Sequence, residues 1–283
     1  MSSSILSLGE LLVEIMRKQV DQPLSRPADF AGPFPSGAPA IFLDAAARLG
    51  AGLGVFTRFI GVVGVDDFGD CVVERLATDG VQVDSIRRAP GWTTGIAFVA
   101  YRGDGSRKFV FHLAQSAASL LSPEDVRAEY FDGLGFLHLT GSALSFSESA
   151  RQAAYRAVEL CKRAGGRVSF DPNLRPELLG PERVRELCEP VLCACDLLLP
   201  SGAEASFLAG EADETRASCA LVARGIPIVA LKQGERGSTV FTASETIAAP
   251  PYPVQEIDPT GAGDCYGGAF VVGLLNGWDL QRT

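Results

Sequence analysis

Asp258-Pro259-Thr260-Gly261-Ala262-Gly263-Asp264, followed by Cys265-Tyr266-Gly267-Gly268-Ala269-Phe270-Val271-Val272-Gly273-Leu274-Leu275, is the stretch that orders the rest of the chain. The run from Asp264 to Leu275 is small and apolar enough to predict a buried helix. Gly261, Ala262 and Gly263 then stand at its first turn, where backbone N–H groups have no partner within the helix. Such a terminus attracts anions through its geometry and its dipole, and residues without bulk let a phosphate come close. A carboxylate at Asp264 would repel that anion, unless it is there to take a proton from an attacking hydroxyl. The same dipole favours its ionised form, as a general base requires. Phosphoryl transfer depends mostly on positioning and charge neutralisation, so a modest base is sufficient. The competing reading is that the glycines only permit tight packing and Asp264 only caps a helix; these residues alone leave both open.

Working outward, β-rich apolar runs alternate with helical stretches. Strands are predicted at Ile5–Leu8, Val55–Ile60, Phe136–Leu139, Arg167–Phe170, Leu197–Leu199, Ile228–Leu231 and Thr239–Phe241. Helices are predicted at Pro39–Leu49, Gly69–Asp79, Glu148–Ala164, Pro181–Cys193, Ala203–Leu208, Thr215–Ala223 and Asp264–Leu275. This βαβ rhythm implies an α/β fold, a doubly wound and mainly parallel sheet flanked by helices, with residues 1–283 as one domain. Two segments interrupt it. Residues 11–35 are rich in proline and polar side chains, and residues 93–112 read as a hairpin around Gly103-Asp104-Gly105. Both are expected to project as a small β lid, with edge strands of the main sheet as the alternative.

Composition narrows the class. The chain has 283 residues, 47% of them hydrophobic and 21% charged, as expected for a folded globular protein. A formal charge of −9 argues against a nucleic-acid or anionic-membrane surface, since both need a basic footprint. The N-terminal Met1–Ile15 has no basic region, and Glu10 and Glu14 interrupt its apolar run, so it reads as a first strand and not a leader. Seven scattered cysteines without a CxxC suit reduced thiols in a cytoplasmic enzyme. His112 and His138 do not make a metal set, and His138 reads as a core residue.

The spacing from Asp258 to Asp264 closely resembles the C-terminal signature of the ribokinase-like (PfkB-type) carbohydrate kinase family, D-x-T-G-A-G-D. Other segments resemble it in the expected order. Ser36-Gly37-Ala38-Pro39-Ala40 is similar to the sugar-binding signature, and Gly64-Val65-Asp66-Asp67-Phe68-Gly69 to a G-x-D-x-F-G stretch. Asp171-Pro172-Asn173-Leu174-Arg175 is similar to D-P-N-x-R, and Lys232-Gln233-Gly234-Glu235-Arg236-Gly237 to the nucleotide-binding K-x-G-x-x-G. The ordered set is far more specific than any one motif.

The resemblance implies an ATP-dependent kinase using Mg2+, and in many relatives a monovalent cation such as K+. It makes Asp264 the base and the N–H groups of Gly261, Ala262 and Gly263 an anion hole. Lys232, Gly234 and Gly237 would line the nucleotide site, with Ser201 beside them. Glu204 would organise magnesium, which needs few protein carboxylates beyond phosphate and water. Ser201 replaces the usual Asn of that motif. Asp258 and Thr260 match positions that hold the monovalent cation. Asn173 and Arg175 would face the sugar or the phosphates. On the sugar side, Glu14 would be the carboxylate at the end of the first strand, with Gly37 and Ala38 against the ligand. Tyr101, Arg102, Arg107, Phe111 and His112 are candidates to close over it, though strand alternation lets only about half face inward.

Two departures bear on substrate. Ile41 stands where the signature has Asn, and offers hydroxyls neither donor nor acceptor. In the family a further helix follows and helps enclose adenine, whereas this sequence ends at Thr283; a native short end and a missing tail both remain open. The implied acceptor is a ketose or sugar acid, a small molecule, with a homodimer through the lid as a family-level expectation. The rival readings are a non-catalytic sugar- or nucleotide-binding relative and a nucleoside kinase of the same fold. A dinucleotide oxidoreductase lacks its G-x-G-x-x-G after the first strand, and no P-loop sequence occurs.

Overall fold

Strands whose residues are apolar on both faces must be covered on both faces, and the chain's early strands have that character. In the computed structural model, which describes residues 3–174, 180–255 and 258–283, the strands are β1 Ser4–Leu8, β2 Leu12–Arg17, β3 Phe30–Ser36, β4 Phe56–Gly64, β5 Val81–Gln82, β6 Ile86–Ala89 and β7 Gly95–Tyr101. They continue with β8 Arg107–His112, β9 Phe136–Thr140, β10 Arg167–Asp171, β11 Leu197–Leu198, β12 Ile228–Lys232, β13 Ser238–Phe241 and β14 Thr246–Ala249. The helices are α1 Ala38–Gly50, α2 Asp67–Thr78, α3 Gly141–Ser145, α4 Glu148–Arg163, α5 Pro181–Leu192, α6 Gly202–Ala209, α7 Glu214–Ala223 and α8 Ala262–Leu275.

The main sheet runs β14-β13-β12-β11-β10-β9-β1-β4-β5, with β6 also pairing β4. From β12 through β5 every pairing is parallel, while β13 and β14 close one edge as an antiparallel hairpin. The order reverses at β1, which has β4 on one side and β9 on the other. Ligands of open α/β sheets bind at the strand C-termini beside such a switch point. Alternation sends Ile5, Phe59 and Phe136 into one apolar cluster with α1, α2 and α8, and Leu6, Ile60 and Leu137 into another with α4 and α5.

A second, four-stranded sheet has the order β3-β2-β7-β8. It is anchored by Asp66, whose carboxylate accepts from Gly69 N–H (2.8 Å) at the start of α2 and from Thr94 N–H (2.7 Å) at the start of β7. Residues 93–112 form the β7–β8 hairpin, its turn closed by Arg102 N–H donating to the Ser106 carbonyl (2.9 Å). Helix α8 begins two residues earlier than the apolar run suggests, at Ala262, because Gly261 caps it at φ +79°.

His138, in the middle of β9, stacks on Phe42 of α1 with ring centroids 3.4 Å apart and shares a hydrogen bond with Ser169 Oγ (2.9 Å). Burial, aided by the Lys232 charge, pushes its pKa well below the ordinary value. The unfolded chain therefore binds a proton that the folded one refuses, and stability present above about pH 6.5 is lost as pH falls below it. Replacing His138 with Gln is expected to flatten that decline by up to about 1.4 kcal/mol per pH unit. Urea melts from pH 7.5 to 5 check this; parallel pH profiles for the two proteins would contradict it.

Candidate active site

The site assembles at the C-terminal ends of the sheet's central strands. Glu10 follows β1, Ser142 follows β9, Asp171 ends β10, Ser201 follows β11 and Lys232 ends β12. All five line one cavity of about 530 Å3, together with Glu14, Ser36, Gly37, Ala38, Ile41, Asn173, Glu204, Gly234, Gly261, Gly263 and Asp264. Residues scattered over more than 250 positions thus meet because parallel strands all deliver their carboxyl ends to one edge.

Its most concentrated electrostatics lie at the head of α8. Lys232 Nζ donates to Asp171 Oδ2 at 2.5 Å, with the two side chains 18% and 4% exposed. Burial alone would pull the ammonium's pKa down, but the charges of Asp171, Glu204 and Asp264 hold it above its ordinary value. Burial pushes the Asp171 carboxyl up, against the pull of Lys232. A Cβ built on Gly263 would sit 3.3 Å from Lys232 Nζ. The ammonium therefore stands against the first turn of α8, adding a full charge to the helix's partial one.

Glu204 is held on both oxygens: Oε1 accepts from Leu174 N–H (2.9 Å) and Oε2 from Ser201 N–H (2.7 Å), closing a capping box with Ser201. A carboxylate has about four acceptor positions, so two remain for water or a cation. Ser36 Oγ donates to Glu14 Oε1 (2.9 Å), and Ser142 Oγ to Glu10 Oε1 (2.6 Å). Gly37 has to be glycine, since φ is +118° and a Cβ would collide with the Glu10 carbonyl.

Several expected residues stand elsewhere. Ala262 does not line the cavity, and its N–H donates to the Pro259 carbonyl (3.2 Å), so it is not available to an anion as Gly261 and Gly263 are placed to be. Gly237 closes the turn after Lys232 and packs on the Ala249 carbonyl, outside the cavity; its neighbour Gly234 is the one inside. Glu14 belongs to β2; the carboxylate at the end of the first strand is Glu10, which the motif reading passed over.

On the hairpin, Arg107, Phe109, Phe111 and Leu113 face the cavity, all odd-numbered, as strand alternation requires. Arg102 lies in the exposed turn, and His112 faces outward, edge-on to Phe98. Tyr101 does not line the cavity; its hydroxyl reaches Asp258 Oδ1 (2.9 Å) and Thr260 Oγ1 (3.1 Å) instead. Arg107 Nη1 also donates to Thr260 Oγ1 (3.1 Å), so two hairpin residues grip the loop entering α8. Asp258, exposed, is thereby engaged by Tyr101 and by Thr260 N–H (2.9 Å). Arg175 lies outside the described residues.

Glu214 is a further residue that no motif signalled. Its carboxylate binds Gln233 Nε2 (2.6 Å) and Arg236 (2.7 Å), pinning the Gly234 turn against the start of α6, where Gly202 leaves room for it. Among the described residues no cluster of three or more His, Cys, Asp or Glu could hold a metal by itself, so a cation here would need phosphate or water ligands. No helix among them is long and apolar enough to cross a membrane.

Residues 2–283 match the pfkB family of carbohydrate kinases. A fructokinase from Klebsiella pneumoniae is 37% identical over 245 residues, covering 86% of this chain and 76% of its own. An E. coli protein provisionally named ribokinase II, solved in complex with ATP and Mg2+, superposes with a TM-score of 0.91 at 39% identity, covering 99% of this chain and 88% of its own. Fructokinase from Vibrio cholerae O395, solved with fructose, ADP and calcium, gives a TM-score of 0.83 at 27% identity, covering 99% and 86%.

Proposed function

This chain belongs to the pfkB family of carbohydrate kinases, and on that premise we propose that it transfers the γ-phosphoryl group of ATP to a hydroxyl of a ketose or sugar acid. The observation that carries the reading is the Lys232 ammonium set against Gly263 at the head of α8, in the same cavity as the Asp264 carboxylate. A helix N-terminus and a cation together favour the charge on a transferring phosphoryl group. Asp264 is the base that takes the proton of the acceptor hydroxyl, one helical turn after Gly261. Gly261 and Gly263 leave room for the phosphoryl oxygens.

The residues suit ATP with Mg2+. Magnesium held there would supply positive charge to offset that of the phosphates. Glu204 has acceptor positions left for its water shell, and Ser201, Gly234 and Lys232 supply the nucleotide side of the cavity. Glu10, Glu14, Ser36, Ser142 and Asn173 supply the acceptor side, where carboxylates and hydroxyls bind sugar hydroxyls. The four-stranded sheet acts as a lid: its hairpin covers the cavity with Phe109 and Phe111, and Tyr101 and Arg107 fasten it to Thr260. Exclusion of water behind such a lid protects the phosphoryl group from hydrolysis.

Glu204→Gln keeps one oxygen and loses the charge, so the magnesium concentration for half-maximal rate is expected to rise several-fold; an unchanged magnesium titration would remove Glu204 from the metal site. The test of the whole reading is ADP release from ATP and Mg2+ across ketoses, aldoses, sugar acids and nucleosides. Turnover on a ketose or sugar acid is expected. Silence across the panel, with ligand binding still detectable by thermal shift, would mark a non-catalytic relative.

A further inference from the structure

The parallel pairing of β11 with β12 runs out beside the cavity. Its last backbone links are Lys232 N–H donating to the Pro200 carbonyl (2.8 Å) and the bridge between Ser201 and Lys232. Beyond them the two chains part, one into α6 with its Ser201–Glu204 capping box and the other into the Gly234 turn. Ser201, Glu204 and Gly234 all line the cavity, so their spacing must be held by something other than strand hydrogen bonds.

Glu214, the first residue of α7, spans that gap. Its Oε1 accepts from Gln233 Nε2 (2.6 Å), and Arg236 closes on both oxygens, Nη1 on Oε1 (2.7 Å) and Nη2 on Oε2 (3.0 Å). Thr239 Oγ1 donates to Gln233 Oε1 (2.8 Å), which fixes the amide with its NH2 group aimed at Glu214. On the other side the carboxylate lies on Gly202, where a Cβ would collide with Oε2. Gly234 has φ +58° and open space where a Cβ would stand, so side-chain packing does not hold the turn.

The Arg236 side chain is 66% exposed, and an ion pair so open adds little to stability. What the arrangement controls is how much of the time the turn keeps one conformation. A ligand's apparent affinity falls with the fraction of protein in the binding-competent state. We propose that Glu214, itself outside the cavity, is a positioning residue for the nucleotide: it ties Gly234 to the start of α6 and keeps the nucleotide side assembled beside Glu204. The inference rests on the kinase reading above. Gly202 gives an independent way to disturb it. Its φ is not positive, so alanine suits its backbone, yet the added methyl would displace the Glu214 carboxylate.

The experiment measures dissociation constants for ADP and ATP with Mg2+ by calorimetry, and kcat and KM with ATP and the acceptor found in the panel above. The proteins are the wild type, Glu214→Ala, Glu214→Gln, Gly202→Ala and the variant carrying both alanines. Glu214→Ala and Gly202→Ala are each expected to weaken nucleotide binding about 10-fold, the scale of one charged hydrogen bond. Acceptor KM and kcat at saturating ATP should stay near wild type. Glu214→Gln keeps an acceptor for Gln233 and should recover part of the loss. The double variant should bind no worse than Glu214→Ala, because the methyl enters space the carboxylate has left. Gly202→Ala removes no group and serves if Glu214→Ala fails to fold. Unchanged nucleotide affinity in both single variants overturns the role of Glu214 and leaves the kinase reading standing. Equal losses for nucleotide and acceptor, or fully additive losses in the double variant, overturn it as well. A wild type that binds nucleotide without turnover fails the kinase reading alone, and the affinities still decide on Glu214. A wild type that binds no nucleotide removes both.

Discussion

Asp264→Asn is expected to lower turnover by roughly 100-fold or more while nucleotide binding, acceptor binding and thermal stability stay close to wild type. The size follows from removing the proposed general base in a reaction that otherwise relies on positioning. The selectivity follows from geometry. Asparagine has the same shape, and Asp264 lies in the first turn of α8, where loss of a negative charge costs only about 0.3–1 kcal/mol through the helix dipole. The backbone of Gly261 and Gly263 and the Lys232 ammonium remain in place to hold a phosphate. ADP release under saturating substrates measures the turnover, and calorimetry the binding. Near-wild-type turnover would remove Asp264 from the chemistry. Equal losses in turnover and binding would make it a structural residue of the loop.

Lys232→Met should be costly in a different way. Asp171 is 4% exposed, and its partner ammonium is the near neighbour that compensates its charge. Truncating one member of a buried pair leaves the other uncompensated, a loss of about 3–5 kcal/mol. Burial already pushes the Asp171 carboxyl up with Lys232 present; without it, the folded-state pKa rises further. A carboxyl whose folded pKa lies above its unfolded one destabilises the protein only when ionised. The penalty is therefore full only above the folded-state pKa, shrinks below it, and vanishes as pH falls to the unfolded value of about 3.9. Urea melts at pH 7 and pH 5 should show the variant closing its gap to wild type at the lower pH. Adding Asp171→Asn should recover much of the stability at pH 7. Neither a lower pH nor the second substitution returns the ammonium beside Gly263, so on the proposed function nucleotide affinity should stay low in both proteins. A gap independent of pH, or no rescue by the second substitution, would refute this account.

The pairing of Lys232 with Asp171 shows how far the linear reading reached. Both residues stand in motifs that the sequence displays, yet neither motif says that their side chains meet. The strand and helix assignments were legible because they depend on neighbours in the chain. The apolar run after Asp264 reads as a helix, and the apolar stretches 136–139 and 228–231 read as strands, with ends displaced by one or two residues. The hairpin was legible for the same reason, since alternation along 107–113 is a local property. Which parity faces the cavity is not local. It depends on how the small sheet is set by Asp66 and Thr94, and that setting turned Arg107, Phe109 and Phe111 inward and left Arg102 and His112 outside.

What the amino-acid sequence by itself determined is the alternation of strands and helices, the glycine-lined start of α8 with its carboxylate, and the family to which these belong. Each follows from residue types at fixed short spacings. The tertiary structure alone decided that Glu10, just past the first strand, and not Glu14 is the carboxylate at that strand's end, and that Tyr101 grips Asp258 and Thr260. It alone decided that Ala262 spends its N–H on Pro259, and that Ile41 forms the wall beside Gly261. Those outcomes depend on the packing of segments as much as 220 residues apart, and no short spacing encodes a contact between side chains that meet only when parallel strands bring their ends together.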